Sequence, residues 1–182
     1  MILLMGLILC GSVSSSFAQP LAPETYLKGK DLLTQQEVQL PKEEKKGWVL
    51  VFLSATCPCS NSHIGEIKNL KEEFKDFKFV GVHSNQDEFE DFSKDYFVSA
   101  KMNFPVLQDE GAKVANQLKA SRTRHAFVLD NKGEILYAGG VSDSNEFSRS
   151  HKKYLRETLA EIQKGKSPRI TRTRVLGCAI GR

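Results

Sequence analysis

The chain predicts an α/β fold, a mixed central sheet flanked by helices on both faces. Three observations carry this. Residues Trp48 to Ala55 are apolar on both faces of the pleat, as a central strand covered on both sides requires. From there to Ala120 the pattern alternates between strand and helix periodicity. Beyond Ala120 it changes to two strands about a hairpin-type turn and then a helix, so a β-α-β half meets a β-β-α half.

Each element has its own signal. From Ser60 to Lys75, Ile64, Ile67, Leu70 and Phe74 recur at helical spacing between Glu and Lys, which makes an amphipathic helix with one buried face. Phe77 to Val82 reads as the next strand. Asp87 to Lys101 reads as a helix with an aromatic side of Phe89, Phe92, Tyr96 and Phe97. Pro105 to Leu107 is a short strand and Ala112 to Ala120 a short helix. Ala126 to Leu129 and Ile135 to Ala138 flank the turn Asp130-Asn131-Lys132-Gly133. The last helix runs from about Ser150 to Gln163 and buries Leu155, Leu159 and Ile162.

The ends have a different character. Met1 to Leu9 is almost wholly apolar and leads to Ser16-Phe17-Ala18, with the small residues a signal peptidase accepts. Residues 1–18 therefore read as a signal peptide cleaved before Gln19, leaving no integral membrane segment and placing the protein in the periplasm or outside the cell. A lipoprotein box ending in Cys10 is the runner-up, set back by the bulky Leu9. Residues 19–46 form an extended polar segment, 47–165 one domain, and 166–182 a basic tail carrying Cys178. The 26 Lys and Arg against 22 Asp and Glu are scattered, apart from a cluster between Lys164 and Arg174, which does not argue for nucleic acid. One domain of this size buries a core without disulfide support, so the cysteines are free for chemistry.

Cys57-Pro58-Cys59 follows the central strand and precedes a helix. The unpaired N–H groups of a first helical turn favour a thiolate, the form that attacks disulfides and peroxides and binds soft metals. The bland reading, two small buried hydrophobes or a static bridge, suits an exported chain and this position less well. Glu66, Glu110 and the pair Asp87-Glu88 read as polar helix faces or turns. His83 and His151 read as solvated or hydrogen-bonded, and Trp48 as packing.

Four segments resemble a known family. They are Val51-Phe52-Leu53-Ser54-Ala55-Thr56-Cys57-Pro58-Cys59-Ser60, Phe79-Val80-Gly81-Val82-His83-Ser84-Asn85, Phe104-Pro105-Val106-Leu107, and Arg122-Thr123-Arg124-His125-Ala126-Phe127-Val128-Leu129-Asp130. Together they look like the thioredoxin-like fold and, within it, the redoxins related to alkyl hydroperoxide reductase and thiol-specific antioxidant proteins. Gly177-Cys178 resembles the ending of some secreted redoxins. The resemblance implies a thiol–disulfide oxidoreductase that acts on the thiols or disulfides of an exported partner protein, is recycled by an external reductant and needs no cofactor. Cys57 takes the nucleophile position. A peroxiredoxin-like thiol peroxidase is an alternative.

The chain departs from the family pattern in three places. One residue, not two, separates its cysteines, so Ser60 falls where a resolving cysteine would sit. Arg124 stands where the fold usually has a cis-proline; a cis bond there would cost about 3 kcal/mol, so a trans peptide is expected. Ser54 matches the hydroxyl that precedes a peroxidatic cysteine, but Leu50 replaces the proline.

These departures set the candidate roles. Cys57 attacks and either Cys59 or Cys178 resolves, since the three cysteines left after processing allow three pairings. A Cys57–Cys59 bond would close a very small, strained and easily reduced ring. Arg124, Arg122 and Ser54 are candidates for tuning the thiolate. The rival of a different class is a metallochaperone in which Cys57, Cys59, His63 and His125 hold Cu(I), because His63 lies one helical turn beyond Cys59 and His125 approaches from a neighbouring loop.

Overall fold

A computed structural model describes residues 22–25, 27–38 and 45–182. The expected signal peptide, its cleavage site and Cys10 lie outside the described residues.

The central strand β1 (Gly47–Leu53) is buried along its whole length. It pairs in parallel with β2 (Phe77–His83) and antiparallel with β4 (His125–Leu129). β3 (Val106–Gln108) extends the parallel side, and β5 (Ile135–Gly140) the antiparallel side, giving the order β3-β2-β1-β4-β5. A register shift between Val128 and Leu129 accompanies the turn at 130–133.

Alternation along β1 divides the core. Val49, Val51 and Leu53 face one layer with Ile67 and Leu70 of α2 (Ile64–Glu73), Phe97 of α3 (Glu90–Ser99), and Leu155 and Leu159 of α5 (Tyr154–Gln163). Trp48, Leu50 and Phe52 face the other, with Val114 and Ala115 of α4 (Lys113–Leu118), Leu27 from the N-terminal segment and Ile180 from the tail. Helices thus cover both faces, as the strand pattern predicts. Ile162 is only partly buried against this core.

Three elements differ from expectation for local reasons. The helix expected from Ser60 is two: α1 (Pro58–Asn61) and α2. The Cys59 carbonyl is taken by Ser62 Oγ at 3.1 Å and His63 Nδ1 at 2.9 Å, while the His63 N–H turns to Ser60, so side chains replace the regular backbone bond. α5 starts at Tyr154 because Asp143 Oδ1 accepts the N–H groups of His151 and Lys152, holding that stretch as a loop. The aromatic side of α3 is split, with Phe97 buried but Phe89 and Phe92 exposed.

Candidate functional site

The parallel strands β1 and β2 end together, Leu53 beside His83, and the cysteine loop rises from that edge. Open α/β sheets bind ligands at the carboxyl ends of such strands. Cys57 caps α1, whose first residue is Pro58, and is 2 % exposed. α1 has only four residues, so its dipole is small; hydroxyls supply most of the polarity around the sulfur. Ser54 Oγ accepts the Cys57 N–H at 3.0 Å, and Thr123 Oγ1 lies 3.2 Å from Cys57 Sγ.

Beneath this loop is a carboxylate, Glu88, that in the sequence reads as part of a polar helix face or turn. The Glu88 side chain is 3 % exposed. It accepts the Ala55 N–H at 2.8 Å, the Thr56 hydroxyl at 3.0 Å and the Ser54 hydroxyl, and meets His83 Nε2 at 3.1 Å. Burial pushes its carboxyl up, but the bonds from His83, Ser54 and Ala55 outweigh burial and hold it at about 2. An ionised Glu88 thereby pins Ser54, Ala55 and Thr56, the residues that aim Cys57.

Cys57 is joined to Cys178, with Cα atoms 6.2 Å apart and a sequence separation of 121. Cys178 is exposed, so the bond joins a buried cysteine to an exposed one. The tail reaches the site as an extra extended segment. Arg122 bridges Ala179 in antiparallel fashion, the Thr123 N–H donates to Cys178 O at 2.9 Å, and the Ile180 N–H donates to Ser121 O at 3.1 Å. Gly177 makes this approach possible: its φ is +144°, and a Cβ there would lie 2.5 Å from the Thr123 carbonyl oxygen. Cys59 carries a free thiol, and its sulfur lies within 4.8 Å of both paired sulfurs.

The expected tuning cations serve the tail. Arg122 Nη1 donates to Gly177 O at 2.8 Å. Arg124, at φ +61° with no cis peptide bond among the described residues, is fully buried. Its guanidinium binds Leu176 O at 2.6 Å, Ser144 O at 2.7 Å and His63 Nε2 at 2.9 Å. Burial lowers its pKa, and the nearby Cys59 thiol acts in the opposite direction. With proline absent, the long Arg124 side chain reaches the His63 ring at the start of α2, the Ser144 carbonyl and the tail.

The two-cysteine, two-imidazole metal set is not assembled. The sulfurs of Cys57, Cys59 and Cys178 cluster, while both imidazoles lie outside that cluster. His63 is fully buried, with Nε2 between Ser142 Oγ and Arg124 and Nδ1 on the Cys59 carbonyl. His125 stacks on Phe127 with ring centroids 4.2 Å apart. Burial, helped by Arg124 for His63 and Arg172 for His125, lowers each to about 4, so both are neutral at physiological pH.

Glu88, Thr123 and Gly177 are the residues that sequence reasoning missed. Thr123 and Gly177 each adjoin a residue singled out for another reason, and Glu88 looks like any acidic turn residue until the fold buries it.

Known proteins can now be set beside this site. The redoxin family profile matches residues 20–155. No curated protein sequence matches the chain. Among solved structures, an uncharacterized conserved protein from Geobacillus kaustophilus is similar at TM-score 0.75 and 22% identity, covering 91% of this chain and 89% of its own. A thioredoxin-like protein in its oxidized form is similar at TM-score 0.62 and 15% identity, over 81% of this chain and 97% of its own. A secreted disulfide oxidoreductase from Mycobacterium tuberculosis is similar at TM-score 0.52 and 15% identity, over 62% and 83%. These likenesses make the fold thioredoxin-like. A family match that begins before β1 and runs into α5 spans every strand of that fold and the cysteine loop with it, and on that ground the chain belongs to the redoxin family.

Proposed function

We propose that this redoxin is a thiol–disulfide oxidoreductase acting on an exported partner protein, with Cys57 as nucleophile and Cys178 as its resolving thiol. The observation that carries the reading is the pairing of a buried Cys57 with an exposed Cys178 brought from the far end of the chain. A buried static bridge has no need of an exposed partner. An exchange centre does.

In the reducing direction the Cys57 thiolate attacks one sulfur of a partner disulfide, and the other partner sulfur leaves as a thiolate and takes a proton. The Cys178 thiolate then attacks Cys57 Sγ, forming the intramolecular bond and releasing the second partner thiol. Two electrons have passed to the partner. An external dithiol attacks the exposed Cys178 and expels Cys57 as a thiolate beside the Thr123 hydroxyl; its second thiolate then attacks the mixed disulfide, releasing Cys178 and leaving the dithiol oxidised to a disulfide. Run backwards, the same steps oxidise the partner. The leader-like residues 1–18 and the secreted oxidoreductase among the structural relatives support an exported, periplasmic or extracellular setting.

The test is thiol trapping with peptide mass analysis after equilibration in a series of glutathione buffers, alongside a turnover assay on a disulfide-containing protein. Reversible Cys57–Cys178 pairing at one defined potential, with turnover abolished in Cys57→Ser, is expected. Full activity in that variant would end the proposal. Turnover with a hydroperoxide and none with a protein disulfide would assign the same thiols to a peroxidase.

A further inference from the structure

A disulfide uses two sulfurs, yet three lie within 4.8 Å of one another here. Cys57 and Cys59 are presented from one turn, with Pro58 fixing the backbone between them. Cys178 is held independently of its bond to Cys57. The tail around it is anchored by Thr123 to Cys178 and Ile180 to Ser121, by Gln86 to Gly181 O at 2.9 Å, and by the guanidinium groups of Arg122 and Arg124. None of these contacts runs through the disulfide itself, so they give the tail a means of holding the three thiols together once the bond is reduced.

We propose that the reduced protein binds one Cu(I) ion through the sulfurs of Cys57, Cys59 and Cys178, in a three-coordinate, all-thiolate site. This goes beyond the exchange reaction, which needs no metal. The donor set selects a soft ion, because thiolates favour Cu(I) and Zn over oxygen-seeking cations. Zn takes four ligands in structural sites, and the nearby imidazole of His63 has both nitrogens engaged. The concavity around Cys59 and Cys178 is lined by Arg122, Arg174 and Asn145 and by no carboxylate. Three thiolates and one Cu(I) leave two negative charges, which Arg122 and Arg174, lining the same concavity, offset. The exposed Cys178 and half-buried Cys59 give the ion a path from solvent.

The chemistry balances in two steps. A thiol or phosphine reductant converts the Cys57–Cys178 bond to two thiols and is itself oxidised by two electrons. Cu(I), supplied in that oxidation state, then displaces three protons from the three thiols, with no change of oxidation state at the metal or at sulfur.

The experiment uses the full chain with Cys10→Ser, reduced and kept anaerobic, titrated against the coloured Cu(I)–bicinchoninate complex. Uptake of one equivalent with an all-sulfur shell in X-ray absorption is expected. Cys59→Ser should weaken binding by at least the roughly hundredfold that losing even an outer-shell partner can cost, while His63→Gln and His125→Gln leave it unchanged. Absence of stoichiometric uptake, nitrogen in the shell, or parental affinity in Cys59→Ser would overturn the site. Cys59→Ser keeps both partners of the disulfide, so reoxidation to Cys57–Cys178 verifies that the variant is folded. A parent that exchanges disulfides without taking copper loses the metal site and keeps the oxidoreductase reading; one that takes copper without exchanging does the reverse.

Discussion

Replacing Cys178 by Ser separates two pairings by the size of the loop each closes. The Cys57–Cys178 bond spans 121 residues. The chain-entropy relation for a loop of that length removes about 16 cal/mol/K from the unfolded ensemble, or about 5 kcal/mol at 25 °C. A Cys57–Cys59 bond would close only the ring through Pro58, for which the same relation yields about 2 kcal/mol. Guanidinium chloride unfolding, followed by circular dichroism on oxidised full-length protein with Cys10→Ser, measures the difference. Cys178→Ser should lose about 5 kcal/mol and show a larger m-value, since an unlinked unfolded chain exposes more surface. Cys59→Ser should stay within about 0.5 kcal/mol of the parent, having lost neither partner of the bond. The reverse pattern, a loss of about 2 kcal/mol in Cys59→Ser and none in Cys178→Ser, would refute the pairing and the tail-first resolution built on it.

Three further results are expected. Glu88, held at about 2 against an ordinary 4.5, contributes stability that is present above 4.5 and lost as pH falls toward 2, about 3 kcal/mol in all. Glu88→Gln should therefore be weaker than the parent at pH 7, with the gap closing below pH 4 in denaturant titrations; a pH-independent gap would mean that shape, not charge, holds the loop. His63 and His125, held at about 4, protonate first in the unfolded chain, so stability should also fall as pH drops from 6.5 to 4. Their imidazole NMR signals should show no titration between pH 5.5 and 8. Gly177→Ala places a Cβ against the Thr123 carbonyl at positive φ, a strain of about 1–3 kcal/mol on the docked tail. Glutathione titration should find its Cys57–Cys178 bond about ten-fold or more easier to reduce; an unchanged equilibrium would show that the tail docks by another route.

The sequence by itself determined the layered fold, because period-2 and period-3.6 apolar patterns report burial directly. The unbroken run from Trp48 reads as a doubly covered strand whatever surrounds it, and Ile64, Ile67 and Leu70 read as one helix face. The cysteine loop was legible for the same local reason, as a strand that runs into a helix. Family membership followed from contiguous motifs around those elements. Only the tertiary structure decided which sulfurs meet. Cys59 is two residues away in sequence yet unpaired, while Cys178 arrives from 121 residues away on a tail that bridges Arg122 just ahead of β4. The tertiary structure also decided that Glu88, which reads as solvated, is a buried ion under the cysteine loop, and that Arg124 binds the tail and His63 instead of Cys57. Each of these depends on long-range partners that no local period encodes: the charge of Glu88 is tolerable only because Ser54, Ala55, Thr56 and His83 converge on it, and those residues come from two strand ends that only the folded sheet brings side by side.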